Sequence, residues 1–332
     1  MNVIGIDISK DKLDLLWLRD VISGKVKTKI HPNTAAGHKM LIKWIVKSTG
    51  QAIEHSHCLM EATGIYHEAL AYALHAAGAE VSLVNPAKVR DYARSLGVRT
   101  KTDKKDSWVI AHYGATQQVR RWQPEPEAIR TLKALINRLM MIEKDRQREA
   151  NRLEHIAKTG ASETVAQSIH TVMAQLDAEK QRLKKSINEH IDQNPQLKND
   201  RELLLSIIGV GPVVSQLMLS VLHSRDFDKG PQCAAYLGLN PIHNESGSSV
   251  RGQTHISKAG DARVRAKLYM AAVVCIKHNP DIRDHYQRML ANGKSKKSAL
   301  CAAMRKLVHI CFGVLKHQQP YQSRIGENPV CV

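Results

Sequence analysis

Four acidic residues lie where their neighbours give them no ordinary role. Asp7 falls in the β-branched run "NVIGIDI", where Gly5 and two isoleucines offer it no nearby cation, and Glu61 ends the apolar run "CLM". A buried strand does not hold an ionisable acid without a partner. Asp103 and Asp106 are three positions apart at a predicted helix start, inside the basic stretch "VRTKTDKKDS", and therefore share one face of that helix.

Carboxylates gathered in one place repel one another unless a divalent cation neutralises them. Hard oxygen ligands with open water positions favour Mg²⁺, with Mn²⁺ as a substitute. Two other roles remain open at this point, since Asp103 could cap the helix and Asp106 could pair with Lys101 or Lys105. Two further acids are assigned to a turn and to an exposed strand face, respectively: Asp11 and Asp14.

The elements that would position these acids come from an alternation of strand and helix signals. Three strands, "NVIGIDI", "KLDLLWLR" and "KVKTKIHP", are joined by short polar connections that suit antiparallel hairpins. Helices and strands then alternate, which predicts a mixed sheet with helices on its faces. That order fits a ribonuclease H-like fold, although other mixed sheets share it. If the first and fourth strands are neighbours, Asp7 and Glu61 lie side by side and the helix brings Asp103 and Asp106 over them.

The residue pattern changes after "QPEPE", where two long helices are predicted around a polar turn near Gly160. Apolar residues recur in both at intervals of three and four, until Asn194-Pro195 stops the pattern. The residues of this pattern are Ile129, Leu132, Ile136 and Leu139 in the first helix and Val165, Ile169, Val172, Leu176, Leu183 and Ile187 in the second. A coiled-coil arm and two helices of an ordinary bundle both fit this pattern.

The last third is predicted to be helical with loops. Gly209-Val210-Gly211 separates two apolar helices, and Pro212 suits the first turn of the second. Such a helix-hairpin-helix-like turn exposes backbone amides that bind a DNA phosphate without reading sequence. Many helix–helix turns contain two glycines, so this pattern alone does not establish the role.

The charge of the chain favours a polyanionic partner. Lys plus Arg number 49 against 31 Asp plus Glu, which gives a net charge of +18. A broad basic field supplies sequence-independent affinity for nucleic acid, because each neutralised phosphate releases counterions. Aromatic residues make up only 4% of the chain, so contacts are expected through phosphates and backbone shape rather than base stacking.

Targeting and redox features are few. The N-terminus meets a charge too early for a signal peptide, and no apolar run approaches membrane-spanning length, so a cytoplasmic protein without a membrane partner is expected. Six cysteines without paired spacing are interpreted as buried reduced thiols.

The motifs together resemble a known family. The segments "GIDISKDKLDL", "MEATG", "TKTDKKD", "IGVGP", "AAYLGLNP" and "NESGSSVRG…SKAGDARVR" look like the DEDD recombinases of insertion sequences, the IS-one-ten-type transposases, which are related to Piv-type DNA invertases. The resemblance implies a RuvC-like (ribonuclease H-like) domain in residues 1–125. It further implies a coiled-coil helical connector in 126–198 and a mostly helical C-terminal transposase domain in 199–332.

The same resemblance assigns roles to individual residues. The family's metal-binding acids match Asp7, Glu61, Asp103 and Asp106, and its serine nucleophile, which directly follows a glutamate, matches Ser246. Ser248 and Ser249 are lesser candidates. Residues expected to bind nucleic acid are Lys101, Lys104 and Lys105 beside the acids, Gly209 and Gly211 in the turn, and Arg251, Lys258, Arg263 and Arg265 near the serine.

The function implied is that of a transposase that moves its own insertion sequence by Mg²⁺-dependent strand exchange through a covalent phosphoserine. Relatives use a structured noncoding guide RNA encoded by the element, so donor DNA, target DNA and such an RNA are the expected partners. A homo-oligomer, dimer or tetramer, and a nucleoid association in a bacterium or archaeon are also expected. Two alternatives are a metal-dependent junction nuclease in which water attacks and a non-catalytic nucleic-acid-binding protein.

Overall fold

The computed structural model of the chain describes residues 1–62, 64–98, 100, 102–160, 162–242, 245–246, 250–251, 254–323 and 325. The chain divides into two compact units, Met1–Pro124 and Glu125–Val332. The predicted boundary of the first domain, at residue 125, lies next to this division. The predicted helical connector and C-terminal domain fall together in the second unit, and their separation into two domains stays a prediction.

The first unit is built on a five-stranded mixed sheet, as predicted. The strands are β1 (Asn2–Ile8), β2 (Lys12–Leu18), β3 (Val26–Pro32), β4 (Ser56–Glu61) and β5 (Glu80–Val84), in the spatial order β3-β2-β1-β4-β5. β1, β2 and β3 are joined as antiparallel neighbours, whereas β4 lies parallel to β1 and β5 parallel to β4. The first and fourth strands are therefore neighbours, which is the condition for bringing Asp7 and Glu61 to one edge.

Helices cover both faces of this sheet. On one face α1 (Ala35–Thr49) and α2 (Glu68–Ala76) contribute Leu41 and Leu74 to a core with Ile4 and Ile6 of β1. On the other face lie α3 (Pro86–Ser95) and α4 (Asp103–Thr116). Burial of apolar side chains on both faces is the principal stabilising contribution to such a sheet.

The contact between α4 and β1 depends on Gly5. A Cβ atom at this position would lie 2.2 Å from the backbone oxygen of Ser107 and 2.6 Å from the backbone nitrogen of Ala111. The helix backbone thus lies directly against β1, closer than any other residue type at position 5 would allow. This close approach sets the position of the first turn of α4, which carries two of the candidate acids.

The second unit begins with two long helices, α5 (Glu127–Thr159) and α6 (Glu163–Asp192), as predicted. The turn between them contains Gly160 in a left-handed conformation, with φ of +69°, which ends α5. Arg146 of α5 pairs with Asp177 of α6, with Nε 3.2 Å from Oδ1. Val165 and Val172, which belong to the predicted apolar stripe, are 46% and 39% exposed, so part of that stripe is uncovered in the single chain.

Six further helices complete this unit around one apolar core. They are α7 (Pro195–Leu205), α8 (Pro212–Leu222), α9 (Gly230–Tyr236), α10 (Ala262–His278), α11 (Pro280–Ala291) and α12 (Lys296–His317). Between α9 and α10 the chain forms two small ribbons, in which β6 (Pro241–Ile242) pairs with β9 (His255–Ile256) and β7 (Glu245–Ser246) pairs with β8 (Val250–Arg251). The sequence predicted only a loop here, because two-residue strands are too short to show an alternating pattern.

One helix corrects the expectation about membrane-spanning length. Among the described residues, α12 is long and apolar enough to cross a membrane by length and composition, with a mean hydropathy of 1.5 over its most apolar window. Its Leu307, Val308 and Cys311 are fully buried in the core of the second unit, together with residues of α8 and α10. The high hydropathy therefore has a structural explanation in core packing.

Candidate catalytic site

Asp7 and Glu61 lie at the same edge of the sheet and on its α4-covered face. The parallel register pairs Gly5 with Leu59 and Ile6 with Met60, so that Asp7 and Glu61 are the next residues of their two strands. Side chains alternate along each strand, so Asp7 shares the face of Gly5, and Glu61 that of Leu59, which packs in the α4-side core.

The first turn of α4 brings Asp103 and Asp106 to this edge. The helix begins after Thr102, whose hydroxyl accepts a hydrogen bond from the backbone N–H of Lys105 at 3.3 Å. The hydroxyl of Ser107, a fully buried side chain, lies 2.8 Å from the backbone oxygen of Asp103 and 2.9 Å from that of Asp14 on β2. These contacts attach the helix start to the sheet. Thr102, and not Asp103, is therefore the helix cap.

The electrostatics of Asp7 show that the acids influence one another. The pKa of Asp7 is raised from 3.8 to about 6, chiefly by burial and then by the negative charges of Asp106, Asp103 and Asp14. A hydrogen bond from the backbone N–H of Ile8 acts in the opposite direction. A proton or a nearby cation would therefore stabilise the Asp7 carboxylate.

Asp14 is a fifth acid of this cluster, and its assignment to an exposed strand face is wrong. It is the cross-strand partner of Asp7, and its side chain is only 13% exposed. The error has a physical cause, since β2 is buried on both faces: Leu13 and Leu15 pack on one side and Leu16 on the other. Such a strand lacks the alternation of polar and apolar residues that would have identified the face of Asp14.

A lysine that the sequence did not single out lies among these acids. The ammonium of Lys12 contacts the carboxylate of Asp103 and lies 3.3 Å from Oδ2 of Asp14. Asp103 is therefore ion-paired to Lys12 of the sheet. Lys105 places its ammonium 4.5 Å from the centre of the Trp108 ring.

The chemistry of this cluster fits a hard divalent cation. It consists of carboxylates, the oxygen ligands that Mg²⁺ and Mn²⁺ prefer, and it already holds one cationic group between two of them. As the side chains stand, no three or more His, Cys, Asp or Glu residues within the described ranges are arranged as ligands of a single ion. Ion binding would thus require side-chain rotation and displacement of Lys12 from Asp103.

The candidate nucleophile lies in the second unit, on the ribbon β7–β8. The backbone of Ser246 pairs with that of Val250, and Glu245 pairs with Arg251, so that the two sequence-selected residues Ser246 and Arg251 lie on facing strands. Nothing further is described for their side chains, and Ser248 and Ser249 lie outside the described residues, as does Lys101.

Two basic residues selected from the sequence have structural partners. Arg265 donates to the backbone oxygens of Leu237 and Gly260 at 3.3 and 2.5 Å, and Arg263 pairs with Asp261 at 2.8 Å. These bonds hold the chain that enters α10. The backbone of Lys258 is in the left-handed region, with a φ of +55°. Lys104 is exposed at the start of α4.

The Gly209–Gly211 turn packs tightly against α10. Gly209 has a φ of +93°, and a Cβ there would lie 2.4 Å from the Sγ of Cys275. The backbone oxygen of Ile208 accepts a hydrogen bond from the side chain of the fully buried Asn279 at 3.1 Å. Gly211 precedes Pro212, the first residue of α8, and no side chain caps this helix start. Contacts with Cys275 and Asn279 therefore hold the turn in place. The first backbone N–H groups of α8 have no partner within the helix, as at any helix start.

Comparisons with known proteins cover nearly the whole chain. Residues 4–159 match the family model for DEDD transposases of the IS110 type, described as "Transposase", and residues 201–287 match "Transposase IS116/IS110/IS902 family". The chain is 32% identical to a "Pilin gene-inverting protein" of Moraxella bovis and to one of Moraxella lacunata, each over 98% of both chains. It is 26% identical to the "Insertion element IS110 uncharacterized 43.6 kDa protein" of Streptomyces coelicolor over 50% of this chain and 40% of that one. The chain therefore belongs to the IS110-type family of DEDD transposases.

Proposed function

We propose that the chain is a site-specific DNA recombinase that moves an insertion sequence by metal-dependent strand cleavage and exchange through a phosphoserine. The observation that carries the proposal is the convergence of Asp7, Asp103 and Asp106 at one corner of the sheet, in a chain alignable over 98% of its length with gene-inverting proteins. These relatives are named for inverting a pilin gene, which is a rearrangement of DNA.

The sheet supports assignment to the RuvC-like, ribonuclease H-like fold. The order β3-β2-β1-β4-β5, with three antiparallel strands followed by two parallel ones, is the arrangement expected of that fold. Its acids belong at the carboxyl end of β1 and β4, where Asp7 and Glu61 lie. We extend the proposal to the three-part division into residues 1–125, 126–198 and 199–332.

The metal site would use Asp7, Glu61, Asp103 and Asp106. DEDD transposases generally depend on a divalent metal, and Mg²⁺, with Mn²⁺ as a substitute, suits carboxylate ligands best. When bound, the ion supplies Lewis-acid stabilisation of charge on a phosphate. Ser107 anchors the turn that carries Asp103, and Lys12 holds the Asp103 carboxylate in the metal-free chain.

Ser246 would perform the covalent step. Its Oγ attacks the scissile phosphorus, an Oγ–P bond forms, and the P–O bond to one strand breaks as that strand leaves with a hydroxyl end. The proton of the serine passes to solvent or to the leaving oxygen. The resulting phosphodiester keeps the bond energy that hydrolysis by water would lose, so the reverse attack by a strand hydroxyl rejoins DNA and frees the serine.

Nucleic-acid contacts are proposed around the four acids and around Ser246. Lys101, Lys104 and Lys105 accompany the acids, and Arg251 and Lys258 accompany Ser246. Arg263 and Arg265 would act through the loop that their bonds hold. The amides at Gly209 and Gly211 would bind a phosphate.

Further partners are a structured noncoding guide RNA and a second copy of the chain. The scarcity of aromatic side chains supports a protein that leaves sequence reading to base pairing. The exposed Val165 and Val172 on α6 support a coiled-coil contact between copies. A nucleoid-associated protein of a bacterium or archaeon would meet these partners.

The test is a denaturing gel with labelled DNA, the copurified RNA and Mg²⁺. Wild-type chain should form a protein–DNA adduct, and Ser246→Ala should form none while still binding DNA. Ser248→Ala is the matched control, because it removes the same atom two residues away. Free nicked ends without an adduct would instead favour the junction nuclease, and unchanged DNA the non-catalytic binder.

A further inference from the structure

A cluster of basic side chains lies on α11 and α12, and none of its members was selected from the sequence. The helix α12 contains no acidic residue, and it carries Arg305, Lys306 and His309 in succession along one side. Residues three and four apart on a helix are neighbours, so His309 lies next to both Lys306 and Arg305. The adjoining α11 contributes His285 and Arg288, three positions apart.

The electrostatic influence of these groups on one another shows that the two helices bring them together. Burial lowers the pKa of His285, and Arg288 and Lys306 lower it further, against a smaller opposite effect of Asp284. Burial likewise lowers the pKa of His309, followed by Arg305, Lys306 and His285. The charge of Lys306 thus acts on both imidazoles, one from each helix.

Two polar atoms of this cluster have no partner. Nε of Arg305 and Nε2 of His309 are buried and make no hydrogen bond within the described part of the chain. The ring of His309 is held by packing, since a Cβ at Gly230 would lie 3.2 Å from its Cδ2. These two atoms are shielded from solvent, so contact with a ligand would fall to the partly exposed remainder of Arg305 and to Lys306.

Arg305 and Lys306 differ from three other basic residues of the second unit in their counter-charges. Arg201, Arg263 and Lys267 each pair with a carboxylate, at Asp192, Asp261 and Glu143 respectively. Within the residues that the structure covers, Arg305 and Lys306 form no ion pair, and Arg288 alone of the cluster has an acid, with Nε 2.9 Å from Oδ2 of Asp284. The positive charges of Arg305 and Lys306 are therefore not neutralised by an ion pair within the described residues.

We propose that Arg305, Lys306 and His309, with His285 and Arg288, form a binding site for the phosphodiester backbone of duplex DNA. Phosphate oxygens would supply the counter-charge that Arg305 and Lys306 lack, and they carry no sequence information. The choice of DNA rests on the proposed function, because a recombinase must hold duplexes on either side of the exchange point. Neutral imidazoles beside the phosphates would also take up protons on binding.

The test measures binding of a short fluorescein-labelled duplex to the full chain in EDTA, by anisotropy over a range of salt concentrations. The double variant Arg305→Gln/Lys306→Gln should bind more weakly. Its slope of log affinity against log salt should be shallower by about 1.8, since each lost phosphate contact removes about 0.9. The matched control, Lys144→Gln/Lys158→Gln, loses the same two charges from the exposed surface of α5 and should keep the wild-type slope.

Several outcomes separate this site from general basicity and from folding. Equal weakening in both double variants, or a wild-type slope in the Arg305/Lys306 variant, would overturn the site. So would a loss confined to a single-stranded RNA probe of equal length. Lys306→Gln alone provides the same test with about half the slope change if the double variant unfolds. Wild-type chain that binds no duplex at all would refute the proposed function, whereas normal binding by the variant refutes only this site.

The imidazoles give a second readout. Because the DNA-bound state would hold more protons, affinity should rise as pH falls from neutrality, and His285→Gln/His309→Gln should reduce that rise. An unchanged pH dependence in this variant would place both rings outside the contact.

Discussion

Replacing Asp7 by asparagine should stabilise the metal-free first unit. The folded chain holds the pKa of Asp7 at about 6 against 3.8 for an unperturbed aspartate, chiefly because the carboxylate is buried and then because Asp106 and Asp103 repel it. Each pKa unit corresponds to about 1.4 kcal/mol, so ionised Asp7 costs the folded state about 3 kcal/mol at pH 7.5. Asparagine has the same shape without the charge and removes that cost.

The stabilisation by Asp7→Asn should depend on pH. A carboxyl whose folded pKa is raised destabilises the fold above that pKa, and the penalty is relieved as pH falls through it toward 3.8. The advantage of Asp7→Asn should therefore shrink from about 3 kcal/mol at pH 7.5 to about 1.6 at pH 5 and below about 1 at pH 4. With Mg²⁺ present, wild type should be more stable than Asp7→Asn, because the ion stabilises only a chain that binds it.

Tryptophan fluorescence during urea unfolding in EDTA is the assay. All four tryptophans lie in the first unit and report on it selectively: Trp17, Trp44, Trp108 and Trp122. Asp11→Asn is the control, since Asp11 is an exposed acid of the turn between β1 and β2. The reasoning is refuted if Asp7→Asn is no more stable than wild type at pH 7.5, or if its advantage is the same at pH 5.

Three further predictions concern other parts of the chain. Lys12→Met should lower the Mg²⁺ concentration needed for half-maximal thermal stabilisation a few-fold, because it removes the cation that competes for Asp103; an increase would contradict this. Gly5→Ala should destabilise the first unit by more than about 2 kcal/mol through its clash with α4, whereas Gly313→Ala, in open space on α12, should be neutral or slightly stabilising by circular dichroism. Asp200→Asn should cost the second unit about 2 kcal/mol at neutral pH, because the buried carboxylate accepts three side-chain hydrogen bonds; unchanged chemical denaturation would exclude that role.

Sequence patterns predicted the sheet and the position of its acids because these depend on local signals. Strand runs and hairpin connections indicated that β1 and β4 could be neighbours, and an acid at the end of each run then implied proximity of Asp7 and Glu61. The spacing of Asp103 and Asp106 on one helix face was equally readable. The role of Ser246 came from family resemblance alone, since a serine in a polar glycine-containing segment has no physical signature.

What the sequence did not reveal depends on long-range packing. Lys12 approaches Asp103 only because Gly5 lets α4 lie against the sheet, a contact between residues about a hundred positions apart. Arg265 looked like a free cation, but its partners are backbone oxygens, which no sequence pattern marks. Arg305 and Lys306 were missed because α12 has the hydropathy of a core helix. Their proximity to the charges of α11 depends on packing, which the sequence does not show.

The long helices α5 and α6 have an uneven distribution of local stability. The 33 residues of α5 extend about 50 Å, yet its buried side chains all lie in the half before Glu143: Ile129, Leu132, Ile136 and Ile142. Hydrogen bonds near Gly160 are therefore supported by little apolar burial and should open by local fraying. Amide hydrogen exchange should be fastest around that turn and slow toward Ile129 and Ile191. A partner that covers Val165 and Val172 would extend slow exchange outward along both helices, so exchange protection of this region can report assembly in solution.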